Sequence, residues 1–174
     1  MIAPLLMTGV LLVITQDGGT FLLDGGTFTI RFPHQPERKT VLLPATDQRN
    51  IASIVYRVED HFLDYSLTHQ VCGQDVPTAA ARVVLQTARD QLVSQVSGTL
   101  VSSREITLDR TLALEFEVEY LDSERHKKRL AERTCLADGR FYQIMVVGNP
   151  TLMKSDDGST AFLQSFTLVR PDKE

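Results

Sequence analysis

The closest grouping of metal-ligating residue types lies between two apolar runs, where Glu59, Asp60, His61 and Asp64 follow one another. Carboxylate and imidazole groups together can bind a hard or borderline divalent metal. The spacing of these residues matches no known ligand motif. The same polar residues also fit a solvated hairpin turn. We treat Asp60, His61 and Asp64 as candidate ligands for a weakly bound divalent metal, and we predict no other cofactor.

Two cysteines, Cys72 and Cys135, are the only thiols in the chain. Beside His69 or His126, either one could be read as the nucleophile of a hydrolase. Free cysteines are more often ordinary buried side chains, and we predict no catalytic residue. The two could form one disulfide in an oxidising compartment, but their sequence positions do not show whether they lie close together.

Charged residues alternate in the second half of the chain, at Glu115, Glu117 and Glu119 and in a basic run over residues 125–129. A turn centred on Ser123 would place Glu119 opposite Lys127. The same register would place Glu117 opposite Arg129, and such cross-strand ion pairs suit a solvated face of a sheet. The net charge of -4 also gives no basic footprint, so we predict no nucleic-acid partner.

Period-two alternation of apolar residues predicts several strands. Phe28, Ile30 and Phe32 alternate with polar residues, and the prolines that follow end that strand. Further strands are predicted at residues 39–43, 51–58, 62–71, 100–108, 112–120, 125–136 and 141–148. The last of these is apolar on both parities, which predicts a central strand covered on both faces.

The apolar spacing becomes helical over residues 77–97. A single apolar face would contain Ala81, Val84, Leu85, Ala88, Leu92 and Val96. Residues 149–155 are predicted as a loop, residues 159–165 as a short helix and residues 166–169 as an edge strand. This order predicts an α+β fold, with a curved antiparallel sheet of six to seven strands flanked by one long and one short helix.

Residues 2–14, near the start of the chain, are almost wholly apolar. This run is too short to cross a bilayer, but its length suits the apolar part of a secretory signal. It has no basic residue before Arg31 and no small-x-small cleavage site, so an edge strand is the alternative. We predict an apolar N-terminal segment over residues 1–19, one domain over residues 20–170 and a tail over residues 171–174.

Four stretches together resemble one known family. They are GGTFTIRFPHQP at 25–36, the helix that ends at Gly98, the EITL and ALEF segments at 105–108 and 113–116, and RFYQIMVVG at 140–148 with FLQSF at 162–166. In order and spacing these stretches resemble PsbP-like domains over most of residues 20–169. The resemblance implies the fold that PsbP shares with the Ran-binding Mog proteins, in which a central antiparallel sheet lies between helices.

The resemblance also implies a largely non-enzymatic family. It includes an extrinsic photosystem II subunit of the thylakoid lumen, bacterial envelope proteins, and chaperones for secreted effectors. We therefore expect an accessory domain that acts through protein–protein contact. The alternatives are a chaperone or adaptor that binds an apolar client segment, and a Cys- and His-dependent hydrolase.

The cellular location depends on the N-terminal segment. We expect the chain to be extracytoplasmic if residues 1–19 act as a signal, and cytoplasmic otherwise. We expect association with a membrane only through a partner or through that signal.

Overall fold

The strands and helices are taken from a computed structural model, which describes residues 18–44, 50–73 and 76–169. The strands are β1 Gly19–Leu23, β2 Phe28–Phe32, β3 Glu37–Pro44, β4 Asn50–Asp60, β5 Leu63–Val71, β6 Thr99–Leu108, β7 Thr111–Leu121, β8 Lys127–Ala137, β9 Arg140–Gly148 and β10 Thr167–Leu168. The helices are α1 Thr78–Gln95, α2 Pro150–Ser155 and α3 Asp157–Gln164.

Within these ranges the strands form two antiparallel sheets. The large sheet has seven strands in the order β3-β4-β5-β9-β8-β7-β6, and the small sheet has the order β1-β2-β10. The predicted α+β fold with an antiparallel sheet is confirmed. The separate small sheet was not predicted, because alternation within a strand does not say which strand it pairs with.

Tight two-residue turns join three hairpins of the large sheet. His61 and Phe62 join β4 to β5, Asp109 and Arg110 join β6 to β7, and Asp138 and Gly139 join β8 to β9, all with positive φ. Positive φ at both central residues gives a turn whose twist matches that of the paired strands. The Asp138-Gly139 turn was predicted. Glycine adopts positive φ without steric cost, which suits it to this turn.

The predicted central strand is confirmed, because β9 lies between β5 and β8 in the middle of the large sheet. Tyr142, Ile144 and Val146 of β9 are buried against the small sheet and α3. On the opposite face Phe141 packs in a second cluster with Leu85 of α1. The sheet therefore has an apolar core on each side.

Helix α1 covers only part of its face of the large sheet. Ala81 and Leu85 are its buried residues, and it packs mainly on β7 and β8. Arg82 ties it to β6 through a 2.6 Å ion pair with Glu105. Val84 was predicted on the buried face, but it is 41% exposed. That prediction is wrong, because only Ala81 and Leu85 of the predicted apolar face are buried.

The predicted register of β7 and β8 is wrong by two residues. Glu119 lies opposite Arg129, and Leu121 lies opposite Lys127. The connection is longer than predicted because the Asp122 carboxylate accepts hydrogen bonds from two backbone N–H groups of the turn, at 2.8 and 3.0 Å. The expected ion pair of Glu117 with Arg129 still forms, as a diagonal contact of 3.2 Å.

Residues 149–155 were predicted as a loop, but they form the cap and body of α2. The Asn149 side chain accepts a hydrogen bond of 2.8 Å from the Thr151 backbone N–H, and Pro150 occupies the first helical position. Both features are typical of a helix start. Helix α3 begins in the same way, with the carboxylate of Asp156 accepting from Ser159 N–H at 2.8 Å.

The ends of the chain lie largely outside the described residues. The predicted N-terminal segment is described only at Gly18 and Gly19, and the predicted tail lies wholly outside. Within the described ranges, no helix has the length and apolar character needed to cross a lipid bilayer.

Candidate functional site

A groove of about 400 Å³ opens between α2–α3 and strands β6–β8. Its charged lining side chains are Arg104, Glu115, Glu117, Arg129, Arg133 and Lys154, and we call this site the charged groove. Alternation places the acidic side chains of β7 and the basic side chains of β8 on the same face of the sheet. The two helices form the opposite wall, where Met153 and Leu163 contribute apolar surface.

Glu115 lies between two guanidinium groups in this groove. Arg133 and Arg104 both donate hydrogen bonds to its carboxylate. Burial opposes ionisation of Glu115, but these hydrogen bonds outweigh it and hold its pKa below the usual value. Arg133 also donates to the Leu163 carbonyl oxygen at 3.1 Å, which ties the β8 side of the groove to α3.

Arg129 is a further cation that lines the groove, and its side chain is only 13% exposed. It forms ion pairs with Glu117 and Glu119. The hydrogen bond from Arg129 is the main cause that lowers the pKa of Glu119. The Nε–H of Arg129 is buried and has no hydrogen-bond partner among the described residues.

The predicted metal ligands do not come together. Asp60 and His61 form a contact of 2.8 Å, and the hydrogen bond that His61 donates to the Asp60 carboxylate raises the pKa of His61. Asp64 lies opposite Glu59, so its side chain points to the other face of the sheet, where Arg57 binds it at 2.7 Å. Among the described residues, no three His, Cys, Asp or Glu side chains form a group that could hold a metal ion.

The two cysteines are both free, with Cys72 exposed and Cys135 buried. Cys72 follows β5, whereas Cys135 is on β8, and β9 lies between these strands. Two strand spacings separate the cysteines by at least about 9–10 Å, which exceeds the Cα–Cα reach of a disulfide. The structure therefore places the candidate bridge partners too far apart.

Neither histidine considered beside the cysteines forms a thiol–imidazole pair in the described structure. His69 of β5 lies opposite Tyr142 of β9, which separates it from Cys135 of β8, and its ring contacts Tyr56 and Tyr142. Burial lowers the pKa of His69, which favours its neutral form. His126 instead lies 3.5 Å from Glu124 in the β7–β8 connection.

We expect only Cys72 to react with a thiol reagent in the native protein. Burial raises the pKa of Cys135 to about 12, so it contributes almost no thiolate near neutral pH. Titration with Ellman's reagent at pH 8 should give one fast thiol, and a second only after denaturation. The Cys72→Ala variant should show no fast thiol. Fast reaction of Cys135 in that variant would contradict its burial.

The basic run at residues 125–129 begins in the β7–β8 connection and continues into β8, where successive side chains alternate between the two faces. Lys128 lies 3.9 Å from Asp122, and Arg129 is paired with Glu117 and Glu119. These positive charges are therefore balanced locally by acidic side chains.

Glu132 was not among the candidate residues predicted from the sequence, and it is 1% exposed on the α1 side of the large sheet. Its Oε1 accepts a hydrogen bond of 3.1 Å from Gln143, and its Oε2 has no partner among the described residues. Burial raises its pKa to about 8. The alternation of side chains along β8 could have indicated this burial, because Glu132 is on the same face as Leu130 and Leu136.

Strand β3 is the second surface feature of interest, because it forms one edge of the large sheet. It pairs with β4 over eight residues without a bulge, and side chains 37–42 are all exposed. Leu42 is 62% exposed and Val41 is 41% exposed. This strand gains ladder hydrogen bonds but little side-chain burial.

Comparison with known proteins finds similarity at the level of structure. No protein-family model and no curated protein matches the chain. The solution structure of cyanobacterial PsbP (CyanoP) from Synechocystis sp. PCC 6803 matches with a TM-score of 0.64 at 9% identity, over 94% of this chain and 99% of that one. The crystal structure of PA94, a protein of unknown function from Pseudomonas aeruginosa, matches with a TM-score of 0.46 at 13% identity, over 90% of this chain and 99% of that one. The chain therefore has a PsbP-like fold.

Proposed function

We propose that this chain is a non-enzymatic accessory domain that acts by binding another protein, and that its edge strand β3 is the contact surface. The observation that carries the proposal is the exposure of every described side chain from residue 37 to residue 42. Ordering a residue costs roughly 1–2 kcal/mol of backbone conformational entropy. Burial of side chains normally offsets that cost, and residues 37–42 of β3 obtain little of it from the part of the chain that the structure describes.

Among the described residues no strand pairs with the outer edge of β3, and such an edge suits a partner in an extended conformation. An edge strand presents unpaired backbone N–H and C=O groups that a second chain can pair with. Val41 and Leu42 are neighbours in the strand, so their side chains project from opposite faces of the sheet. A partner strand with apolar side chains would therefore bury both while extending the ladder.

The non-enzymatic part of the proposal is supported by the state of the reactive side chains. Cys135 is buried with a raised pKa, and Glu115 is held in its ionised form by two arginines. Neither state suits a nucleophile or a general acid near neutral pH. The resemblance of the fold to CyanoP is compatible with this proposal, although a fold does not determine a function.

The test is affinity purification of the full chain from its own host, compared between two matched variants. Leu42→Asp places a charge on β3, and Leu22→Asp places the same charge on β1, where the leucine is equally exposed at 63%. We expect the wild type and Leu22→Asp to retain a stoichiometric partner, and Leu42→Asp to lose it. The buried charge should weaken binding by at least about tenfold.

Two outcomes would count against the proposal. One is recovery of the wild type without any stoichiometric partner. The other is equal recovery of that partner with Leu42→Asp and Leu22→Asp.

A chaperone or adaptor that binds an apolar client segment is the second candidate, because the exposed Val41 and Leu42 would also suit such a client. The N-terminus of the purified chain, read by intact-mass spectrometry, separates the two. Cleavage within residues 1–19 favours an extracytoplasmic accessory protein, whereas an intact Met1 favours a cytoplasmic chaperone. Hydrolytic activity that disappears in Cys72→Ala or Cys135→Ala would instead support the hydrolase alternative.

A further inference from the structure

We propose that the segment that pairs with β3 carries a carboxylate side chain opposite Arg38 and, four residues away, an apolar side chain opposite Leu42. This inference rests on the function proposed for β3, and it specifies the partner as an extended acidic segment of another protein. Three features of β3 support it: the division of its side chains between two faces, the charges around Arg38, and the antiparallel pairing of the sheet.

The side chains of β3 project to two faces of the large sheet. Arg38 lies opposite Tyr56 of β4, which packs in the core against the small sheet. Directly paired residues project to the same side, and alternation repeats that side at every second residue. The small-sheet face of β3 therefore contains Arg38, Thr40 and Leu42, and the α1 face contains Glu37, Lys39 and Val41.

The two charges of β3 on the α1 face neutralise each other. Lys39 Nζ lies 3.1 Å from Glu37 Oε2, and these side chains are 61% and 65% exposed. A strand that pairs with β3 therefore meets no excess of charge from β3 on that face.

The charge of Arg38 on the small-sheet face is not balanced in this way. Arg38 is exposed, and it forms no ion pair or hydrogen bond with any described residue. Asp24 lines the same recess as Arg38, but its carboxylate is bound by Arg140 of β9. Asp24, Arg140 and Arg38 together therefore leave one positive charge beside the edge of β3.

This charge discriminates between partner strands. A wholly uncharged strand would cover the guanidinium group of Arg38 without giving it an acceptor, and loss of solvent around a charge costs solvation energy. A carboxylate on the partner offsets that cost with a charge-assisted hydrogen bond. Arg38 therefore disfavours pairing with purely apolar strands, as charges on sheet edges generally do, and it favours an acidic partner.

The remaining exposed side chains determine the rest of the partner sequence. Every strand pair described in the two sheets is antiparallel, which is also the slightly more stable arrangement. In an antiparallel partner the residue opposite Leu42 comes first, the residue opposite Val41 follows it, and the residue opposite Arg38 comes four positions after the first. The expected motif is therefore two consecutive apolar residues, two further residues and an acid.

The experiment is a titration of the isotope-labelled full chain with two hexapeptides, followed by amide chemical shifts in nuclear magnetic resonance. Acetyl-Ile-Val-Thr-Thr-Glu-Thr-amide contains the motif, and acetyl-Ile-Val-Thr-Thr-Gln-Thr-amide replaces its carboxylate with a neutral amide. We expect both peptides to shift the amides of β3, with dissociation constants on the order of 1 mM. The glutamate peptide should bind about three- to fivefold more tightly at low ionic strength, because it forms an exposed cross-strand ion pair.

Two variants assign this preference to one side chain. Arg38→Gln with the two peptides completes a double-mutant cycle, and the preference for glutamate should disappear. Lys39→Gln is the matched control, because Lys39 is an exposed cation of the same strand on the opposite face. Its preference for the glutamate peptide should equal that of the wild type.

The outcomes separate this inference from the function on which it rests. Equal binding of the two peptides by the wild type would overturn the inference and leave β3 as the contact surface. A preference for glutamate that persists in Arg38→Gln would do the same. Absence of shifts along β3 with both peptides would instead contradict the pairing of a partner strand with β3, and the inference would fall with it.

Discussion

Replacing Glu132 with glutamine is expected to stabilise the chain by roughly 3–5 kcal/mol at pH 8, with a much smaller effect near pH 4.5. The Glu132 carboxyl is fully buried and accepts one hydrogen bond, from Gln143. No cation among the described residues is paired with it. Glutamine has nearly the same shape and stays neutral, so it removes the cost of the ionisable group.

The sign of this effect follows from the two states of the chain. Burial raises the pKa of Glu132 from its usual value of 4.5 to about 8 in the folded chain. Between these values the unfolded chain has released this proton while the folded chain still holds it. The free energy of unfolding of the wild type therefore falls as the pH rises from 4.5 to 8, and then levels off. Glu115, Glu119 and Asp122 have lowered pKa values, so their stabilising contributions are lost below this window.

The measurement is urea unfolding of the wild type and Glu132→Gln at several pH values between 4.5 and 8.5. Glu124→Gln is the matched control, because Glu124 is 77% exposed and its replacement should leave the pH dependence unchanged. An equal stability difference at pH 5 and pH 8 would show that Glu132 does not titrate with a raised pKa.

Replacing Phe28 with alanine is expected to destabilise the chain by about 3–5 kcal/mol. Phe28 is 0% exposed and lies where the small sheet packs on the large one. Its ring centroid is within 5.5–6.1 Å of those of His69, Tyr142, Phe166 and Tyr56. Alanine would remove these edge-on and tilted contacts and leave a cavity between the two sheets.

The same substitution at Phe62 is the matched control for this prediction. Phe62 is 89% exposed at the turn between β4 and β5, so Phe62→Ala should change the free energy of unfolding by no more than about 0.5 kcal/mol. Urea unfolding at pH 7 compares both variants with the wild type. A loss of less than about 1 kcal/mol for Phe28→Ala would show that the small sheet contributes little to the folded state.

Local patterns in the sequence were sufficient to predict most of the secondary structure. The alternation of Phe28, Ile30 and Phe32 predicted β2, and the helical spacing around Ala81 and Leu85 predicted α1. The Asp138-Gly139 turn was also predicted, because this dipeptide favours positive φ. These features depend on residues close together in the chain, and their physical causes act locally.

The candidate metal ligands are not grouped in the described structure, because grouping depends on which side chains share a face. Asp60 and Asp64 are four residues apart, but pairing opposite Leu63 and Glu59 sends their side chains to opposite faces of the sheet. The two-residue error in the β7–β8 register has a similar origin. Hydrogen bonds to Asp122 lengthen that connection, and no periodic pattern predicts them.

By itself, the sequence determined the fold class, the central position of β9 and the alternating charges of β7 and β8, because periodicity and charge are properties of neighbouring residues. Only the tertiary structure decided that Glu132 is buried and that α2 and α3 fold back over β8 to form the charged groove. It also decided that β3 lies at an edge of the large sheet with side chains 37–42 exposed. Burial and grooves arise where residues distant in the chain meet, and a single sequence does not specify those contacts locally.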